Sequence, residues 1–280
     1  MKKLTMLAIL FTFLAAAFFP LTIRAADQTA LNESLKDSLV YLELSSYAYD
    51  QARPWRHQEV EQGSGYACAV GEYEVLTTAY NVANSAYIRA RRYGQNEYIP
   101  AKVKVIDYES NLCLLELDRQ AMTAPLQPVA FQPDFQQEAE IAFYWLDEDG
   151  RIYNGRGYID HARTENSVTS YAEFLLFVIT NASRPTGRAE LFFLDGKPIG
   201  LGCWYKSGSD ESGVIPGEII SKFLADAADG NYAGFAATGF EADELLDPTM
   251  RNYLKMPADM KSGVYVKEAY TLGSGCDSLK

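Results

Sequence analysis

Short apolar runs separated by turn residues dominate this chain and restrict it to a β-rich fold. Strand-like alternation or apolar density occurs at Ser38 to Leu44, Tyr66 to Val70, Glu74 to Thr78, Ala86 to Arg91, Ala101 to Asp107 and Cys113 to Leu117. It returns at Ile141 to Leu146, Ile152 to His161, Glu173 to Ile179, Leu191 to Leu194 and Pro198 to Trp204. Asp149-Gly150 and Asp195-Gly196 are good hairpin turns, because glycine tolerates the positive φ that tight hairpins demand. Many short strands with little helix between them predict an all-β barrel or sandwich.

The pattern changes at Pro216. Gly217 to Ala228 places Ile219, Ile220, Phe223 and Leu224 on one helical face, with Pro216 as a start signal and Gly230 as a stop. A second small unit is expected beyond it. It comprises Gly234 to Phe240, a helix through Leu245 to Leu254 that carries Asp243, Glu244 and Asp247 on a solvated face, and a strand from Gly263 to Glu268.

Residues 1–25 read as a secretory signal: Lys2 and Lys3, an apolar run from Leu4 to Phe19, then Ile23-Arg24-Ala25 as a cleavage site. The apolar run is short for a membrane span, which needs about 20 residues, and no cysteine follows it to carry a lipid. Export to the periplasm or the extracellular space is therefore expected. Residues 26–37 form a polar lead-in, either mobile or a short helix. The formal charge of the whole chain is −12. Losing Lys2, Lys3 and Arg24 with the signal makes it more negative still, and such a surface repels phosphate backbones, so no nucleic-acid partner is expected.

Cys68, Cys113, Cys203 and Cys276 are widely spaced. They read first as buried small apolar residues; an exported protein also permits a disulfide, but spacing selects no pairing. Close ligand pairs are absent and only His57 and His161 could assist, so neither a metal nor a cofactor is expected. Both histidines read as surface or half-buried residues.

Four segments, in order, resemble the HtrA (high-temperature-requirement) family of exported trypsin-like proteases with PDZ domains. Gly63-Ser64-Gly65-Tyr66 resembles its Gly-Ser-Gly-Phe strand, and Val75-Leu76-Thr77-Thr78-Ala79-Tyr80-Asn81-Val82 its Ile-Leu-Thr-Asn-Ala-His-Val-Val. Tyr108-Glu109-Ser110-Asn111-Leu112-Cys113-Leu114-Leu115-Glu116-Leu117 resembles its Asp-Leu-Ala-Leu-Leu-Lys-Val strand, and Gly213-Val214-Ile215-Pro216, opening a helix, its Phe-Ala-Ile-Pro. Pro185-Thr186-Gly187-Arg188-Ala189-Glu190-Leu191, followed by a hairpin ending in Pro198-Ile199-Gly200-Leu201, stands where such a protease carries Gly-Asn-Ser-Gly-Gly-Pro-Leu and Val-Ile-Gly-Ile. The resemblance implies a trypsin-like double β-barrel over residues 38–229. It also implies a partial PDZ-like domain over 230–280, opened by the carboxylate-binding loop Tyr232-Ala233-Gly234-Phe235, with Val264 to Val266 in its sheet. Gly273 to Lys280 resembles a segment that the family continues with Pro-Gly-Asp, so the PDZ-like domain is expected to be truncated.

Matched residue by residue, the catalytic constellation departs from the family at each position. Tyr80 stands where the general-base histidine would be, and a phenol with an ordinary pKa near 10 is a poor base at neutral pH. Asn111 replaces the aspartate and cannot stabilise an imidazolium by charge. Gly187 replaces the nucleophilic serine. Pro185 replaces the oxyanion-hole glycine and has no N–H to donate. No residue of this chain is therefore expected to be catalytic.

The resemblance and its departures together imply an inactive protease homologue that binds peptide or protein C-termini through its PDZ-like unit. The alternatives are an active envelope serine endopeptidase and a regulatory subunit of active homologues. The resemblance also admits homo-oligomers, or hetero-oligomers with family members.

Overall fold

The computed structural model describes residues 31–47, 50–55, 59–236, 239–257, 259–260 and 263–269. The expected signal segment, His57 and the C-terminal stretch with Cys276 lie outside the described residues.

Two closed antiparallel barrels follow one another along the chain. The first is built from β1 (Leu39–Tyr47), β2 (Val60–Ala69), β3 (Glu74–Thr78), β4 (Ser85–Arg92), β5 (Ile99–Asp107) and β6 (Leu112–Leu117), with the single-turn helix α1 (Ala79–Val82) between β3 and β4. Its strand order is β1-β2-β3-β6-β5-β4, and β1 closes it by pairing with β4. The second uses β7 (Glu140–Leu146), β8 (Ile152–Asn166), β9 (Glu173–Asn181), β10 (Leu191–Leu194), β11 (Lys197–Lys206) and β12 (Glu211–Pro216). Its order is β10-β11-β12-β9-β8-β7, closed by β10 against β7. Closure leaves no open strand edge in either barrel. The α2 helix (Gly217–Ala228) follows β12 and buries Ile220 and Phe223.

The two cores follow from the period of 2 that pleated strands impose. In β1, Val40, Leu42 and Leu44 alternate into the first core, where Ala67, Val75 and Leu115 meet them. The second core is aromatic. Phe143 stacks on Trp145 at 5.9 Å and on Phe192 at 5.0 Å between ring centroids. Space for the Phe143 ring comes from Gly155 on the neighbouring strand: a Cβ at residue 155 would lie 2.2 Å from Phe143 Cζ.

Three local expectations need correction. Residues 213–216 read only as a lead into the helix, yet they are the end of a full strand, β12, hydrogen-bonded to both β11 and β9. Gly213 and Pro216 hide its strand character in the sequence. The helix expected from Leu245 to Leu254 is shorter, α3 (Pro248–Tyr253), and it follows β13 (Phe240–Glu244). Asp243 therefore sits on a strand, where Lys267 Nζ meets it at 2.9 Å, rather than on a helix face. Asp247 is the N-cap, accepting from the backbone N–H groups of Thr249 and Met250. For the lead-in, the helical alternative is the one observed: residues 31–35 are helical, Leu35 is buried, and Asp37 Oδ1 accepts from the buried Arg92 at 2.8 Å.

The chain divides into two compact units, one running to Gly234 and one starting at Phe235. In the second, β13 pairs antiparallel with β14 (Val264–Ala269).

Cys68, Cys113 and Cys203 are buried free thiols. Burial disfavours the thiolate and pushes all three up, Cys113 to about 12. Iodoacetamide at pH 8 should leave these three unmodified in the folded protein and alkylate them in guanidinium, which peptide mass mapping would read directly. Gly155→Ala should destabilise by about 2 kcal/mol, an ordinary overpacking cost. Because Phe143 is held between two rings, relief by rotation is blocked; the melting temperature should drop roughly 4–8 °C, measured by near-ultraviolet circular dichroism.

Candidate functional site

The residues matched to a protease triad come from the β3–α1 junction, the β5–β6 turn and the loop before β10. Tyr80 lies in the first turn of α1, with its side chain largely in solvent (58% exposed). Its backbone N–H donates to Asn111 Oδ1 at 2.8 Å, and the N–H of Ala79 donates to Asn111 O at 3.1 Å. Asn111 takes the left-handed conformation (φ +57°) that asparagine tolerates better than most residues. It is buried, and its Nδ2 has no partner among the described residues. The structure thus brings Tyr80 and Asn111 together, but through the backbone of one and the amide oxygen of the other. That pair anchors α1; it offers neither a base nor a charge.

The loop from Pro185 to Glu190 is organised around one side chain that the sequence reading passed over. Glu190 is fully buried, with an exposure of 0%. Its Oε1 accepts from the backbone N–H of Thr186, from Thr186 Oγ1 at 2.6 Å and from the N–H of Gly187 at 3.1 Å. Its Oε2 accepts from the N–H of Arg188 at 3.0 Å. Three successive amides thus converge on one carboxylate, an anion-binding nest filled from within the chain. Charge-assisted bonds of this kind are roughly twice as strong as neutral ones, which is what a fully buried carboxylate requires.

Gly187 stands where the resemblance places a nucleophile. Its φ is +72°. A Cβ added there would lie 2.6 Å from the carbonyl carbon of Trp204 and 2.7 Å from the N of Tyr205. Both are backbone atoms of β11, hydrogen-bonded into the barrel through β12. The position therefore rejects any side chain. Its N–H, which could otherwise have faced an oxyanion, is spent on Glu190, and buried Pro185 has none.

The same loop fastens the two barrels together. The carbonyl of Arg188 accepts from Tyr66 N and from Asn81 Nδ2, each at 3.0 Å. Asn81 Nδ2 also donates to Thr77 Oγ1 at 3.0 Å, and Thr77 Oγ1 donates to Tyr66 O at 2.7 Å. The Arg188 guanidinium reaches Ser64 O at 3.3 Å and Ser64 Oγ at 3.0 Å. Asn81 fits because residue 65 is glycine: a Cβ there would lie 2.8 Å from Asn81 Nδ2. Glu190, Asn81 and the Arg188 carbonyl are the working parts that sequence reasoning missed. A lone acid directly before the apolar run Leu191-Phe192-Phe193-Leu194 was the available signal for the first of them.

His161 lies on β8, half-buried, with Nδ1 3.0 Å from Asp160 Oδ2 and far in sequence from every loop of the site. Among the described residues no cluster of histidine, cysteine, aspartate or glutamate has the arrangement of a metal site.

The residues matched to a carboxylate-binding loop lie at the end of the first unit, apart from Phe235, which opens the second. Tyr232 is an anchor. Its hydroxyl donates to Asp107 Oδ2 and its ring packs edge-on against Phe223 at 5.4 Å. Burial, then the Asp107 hydrogen bond, pushes its phenol well above the usual tyrosine range. The N–H groups of Ala233 and Gly234 both donate to Asp226 Oδ2, at 3.0 and 2.9 Å.

Glu190→Gln tests the nest. One carboxylate oxygen becomes an NH₂ facing N–H donors, so at least one buried donor loses its partner. The expected loss is about 2–4 kcal/mol, seen as a lower urea midpoint with an unchanged slope.

No protein-family model matches the chain. The chain is 25% identical over 254 residues to Protease Do-like 2, chloroplastic, of Arabidopsis thaliana, a match covering 88% of this chain and 41% of that protein. It is 24% identical over 235 residues to Protease Do-like 4, mitochondrial, of Arabidopsis thaliana, covering 81% and 44% respectively. The chain thus spans less than half the length of the curated relatives it matches. Among solved structures, the HtrA-type protease AlgW with decapeptide superposes with a TM-score of 0.64 at 14% identity, covering 87% of this chain and 80% of that one. The fold is trypsin-like, and in sequence the chain is similar to Do-like proteases.

Proposed function

We propose that this chain is an exported trypsin-like protein of the HtrA type that has given up hydrolysis and acts by binding. The observation that carries the reading is the buried Glu190 carboxylate, which takes the N–H groups of Thr186, Gly187 and Arg188. Acyl transfer in this fold needs a nucleophile, a base and free donors aimed at the developing oxyanion. Here the donors are engaged, the nucleophile position admits no side chain, and the base position holds a phenol. Tyr80, Asn111, Pro185 and Gly187 have no catalytic role on this reading.

Binding is assigned to the PDZ-like unit and its entry loop. Two adjacent N–H groups, those of Ala233 and Gly234, already collect one carboxylate oxygen, so the loop is chemically suited to the carboxylate that ends a peptide. AlgW, a neighbour in fold, was solved with a decapeptide. The partners are therefore peptide or protein C-termini, the place of action is the periplasm or the extracellular space, and no cofactor takes part. Assembly with itself or with active relatives is compatible with this role.

The decisive experiment incubates the protein with unfolded casein and with a fluorophosphonate probe, followed by intact mass. Neither cleavage nor a mass increase is expected. The variant Tyr80→His/Asn111→Asp/Pro185→Gly/Gly187→Ser should remain unlabelled too, because the hydroxymethyl group introduced at position 187 would face the β11 backbone. Labelling of the unaltered protein would overturn the reading, and labelling of the variant would overturn the steric argument for it.

A further inference from the structure

Asp226 sits in the last turn of α2, and its side chain leaves the helix to meet the chain after Gly230. Its Oδ2 receives two consecutive backbone N–H groups, from Ala233 and Gly234. Gly234 holds φ at +80°, a conformation that costs glycine little, and its N–H meets the same oxygen as its neighbour's. On the proposed reading, this is the geometry with which the loop would receive the terminal carboxylate of a peptide. We infer that Asp226 is an internal stand-in for that carboxylate, and that a peptide with a free C-terminus binds by displacing it.

The inference rests on the peptide-binding reading and adds regulation to it. An intramolecular carboxylate competes at a high effective concentration, so ligand affinity falls by the fraction of time the loop is free. The competition is balanced, because each competitor brings one carboxylate to the same donors. What a peptide adds is its backbone and side chains, which Asp226 cannot imitate. The loop should therefore select ligands that make further contacts and ignore short carboxylates such as acetate. The anchor that carries the loop need not move, since Tyr232 is held separately by Asp107 and Phe223.

The test uses the full chain, with an equimolar pool of fluorescein-labelled octapeptides randomised at their last three residues. One pool carries free carboxylates and its twin C-terminal amides. Anisotropy titrations compare the unaltered protein with Asp226→Asn, which keeps the shape, and Asp226→Ala, which removes the acceptor. Both variants should bind the free-carboxylate pool about tenfold more tightly, and none of the three proteins should bind the amide pool. In ¹⁵N–¹H spectra, the Ala233 and Gly234 amides should shift on substitution and shift again on peptide addition. Carboxylate-dependent binding of equal strength in all three proteins would overturn the stand-in role and leave the peptide reading intact. Weaker binding by the folded variants would also overturn it, since Asp226 would then be building the loop rather than filling it. If no protein binds either pool, or all bind both pools alike, the peptide reading fails and takes the stand-in with it.

Discussion

The joint between the two barrels depends on a carboxylate that cannot reach water. With Glu190 fully buried, four donors from Thr186, Gly187 and Arg188 must surround it. That requirement shapes the loop: Gly187, whose own N–H and that of Arg188 both point to Glu190, adopts φ +72°, and Ala189, directly before Glu190, adopts φ +71°. The carbonyl of Arg188 lies opposite the N–H of Ala189, which donates to Gly202 O at 2.9 Å, and Tyr66 N and Asn81 Nδ2 of the first barrel take it up. A single buried charge thus organises the loop, and the loop supplies hydrogen bonds between the barrels, beside those from Thr169 Oγ1 to Tyr108 O and from Arg91 to Glu148 O. Its cost in desolvation is large, and only a complete set of partners offsets it.

A parallel arrangement closes the other candidate site. Asp226 does for the amides of Ala233 and Gly234 what Glu190 does for those of the loop before β10. The two differ in burial: Glu190 is sealed in, whereas Asp226 is only partly buried and lies beside a loop that solvent reaches. By the same physics, the first contact is a structural part and the second is exchangeable. Both follow from one property of backbone amides. Convergent N–H groups in a turn form a ready anion site, and a chain with as many acids as this one can fill such sites itself.

Much of the architecture was legible in the sequence because period-2 patterning survives wherever one face of a strand meets a core. β3 and β10 match their expected limits, and α2 matches its own with Ile220 and Phe223 inward. β12 was not legible, since Gly213, packed under the Trp204 ring, and Pro216 carry no strand signature. The short α3 was overextended because Leu245 and Leu246 continue an apolar pattern, although Asp247-Pro248 marks the true start through its cap. For the site, the sequence showed what stands at Tyr80, Asn111, Pro185 and Gly187, since those are matters of identity. It could not show Glu190 or Asp226 at work. Their roles depend on where an acid's two oxygens fall relative to backbone amides, and no spacing rule encodes that.

Those roles bear on why hydrolysis, once given up on the proposed reading, is hard to regain. A serine at residue 187 meets the β11 backbone as long as the loop keeps its positive φ. The loop keeps that φ as long as Glu190 must be satisfied. Removing Glu190 frees the loop but also loosens the Arg188 carbonyl from Tyr66 and Asn81, which join the barrels. Gly187 is thus held by neighbours that serve stability. Restoring the nucleophile at residue 187 would cost folding free energy before it could contribute to a reaction.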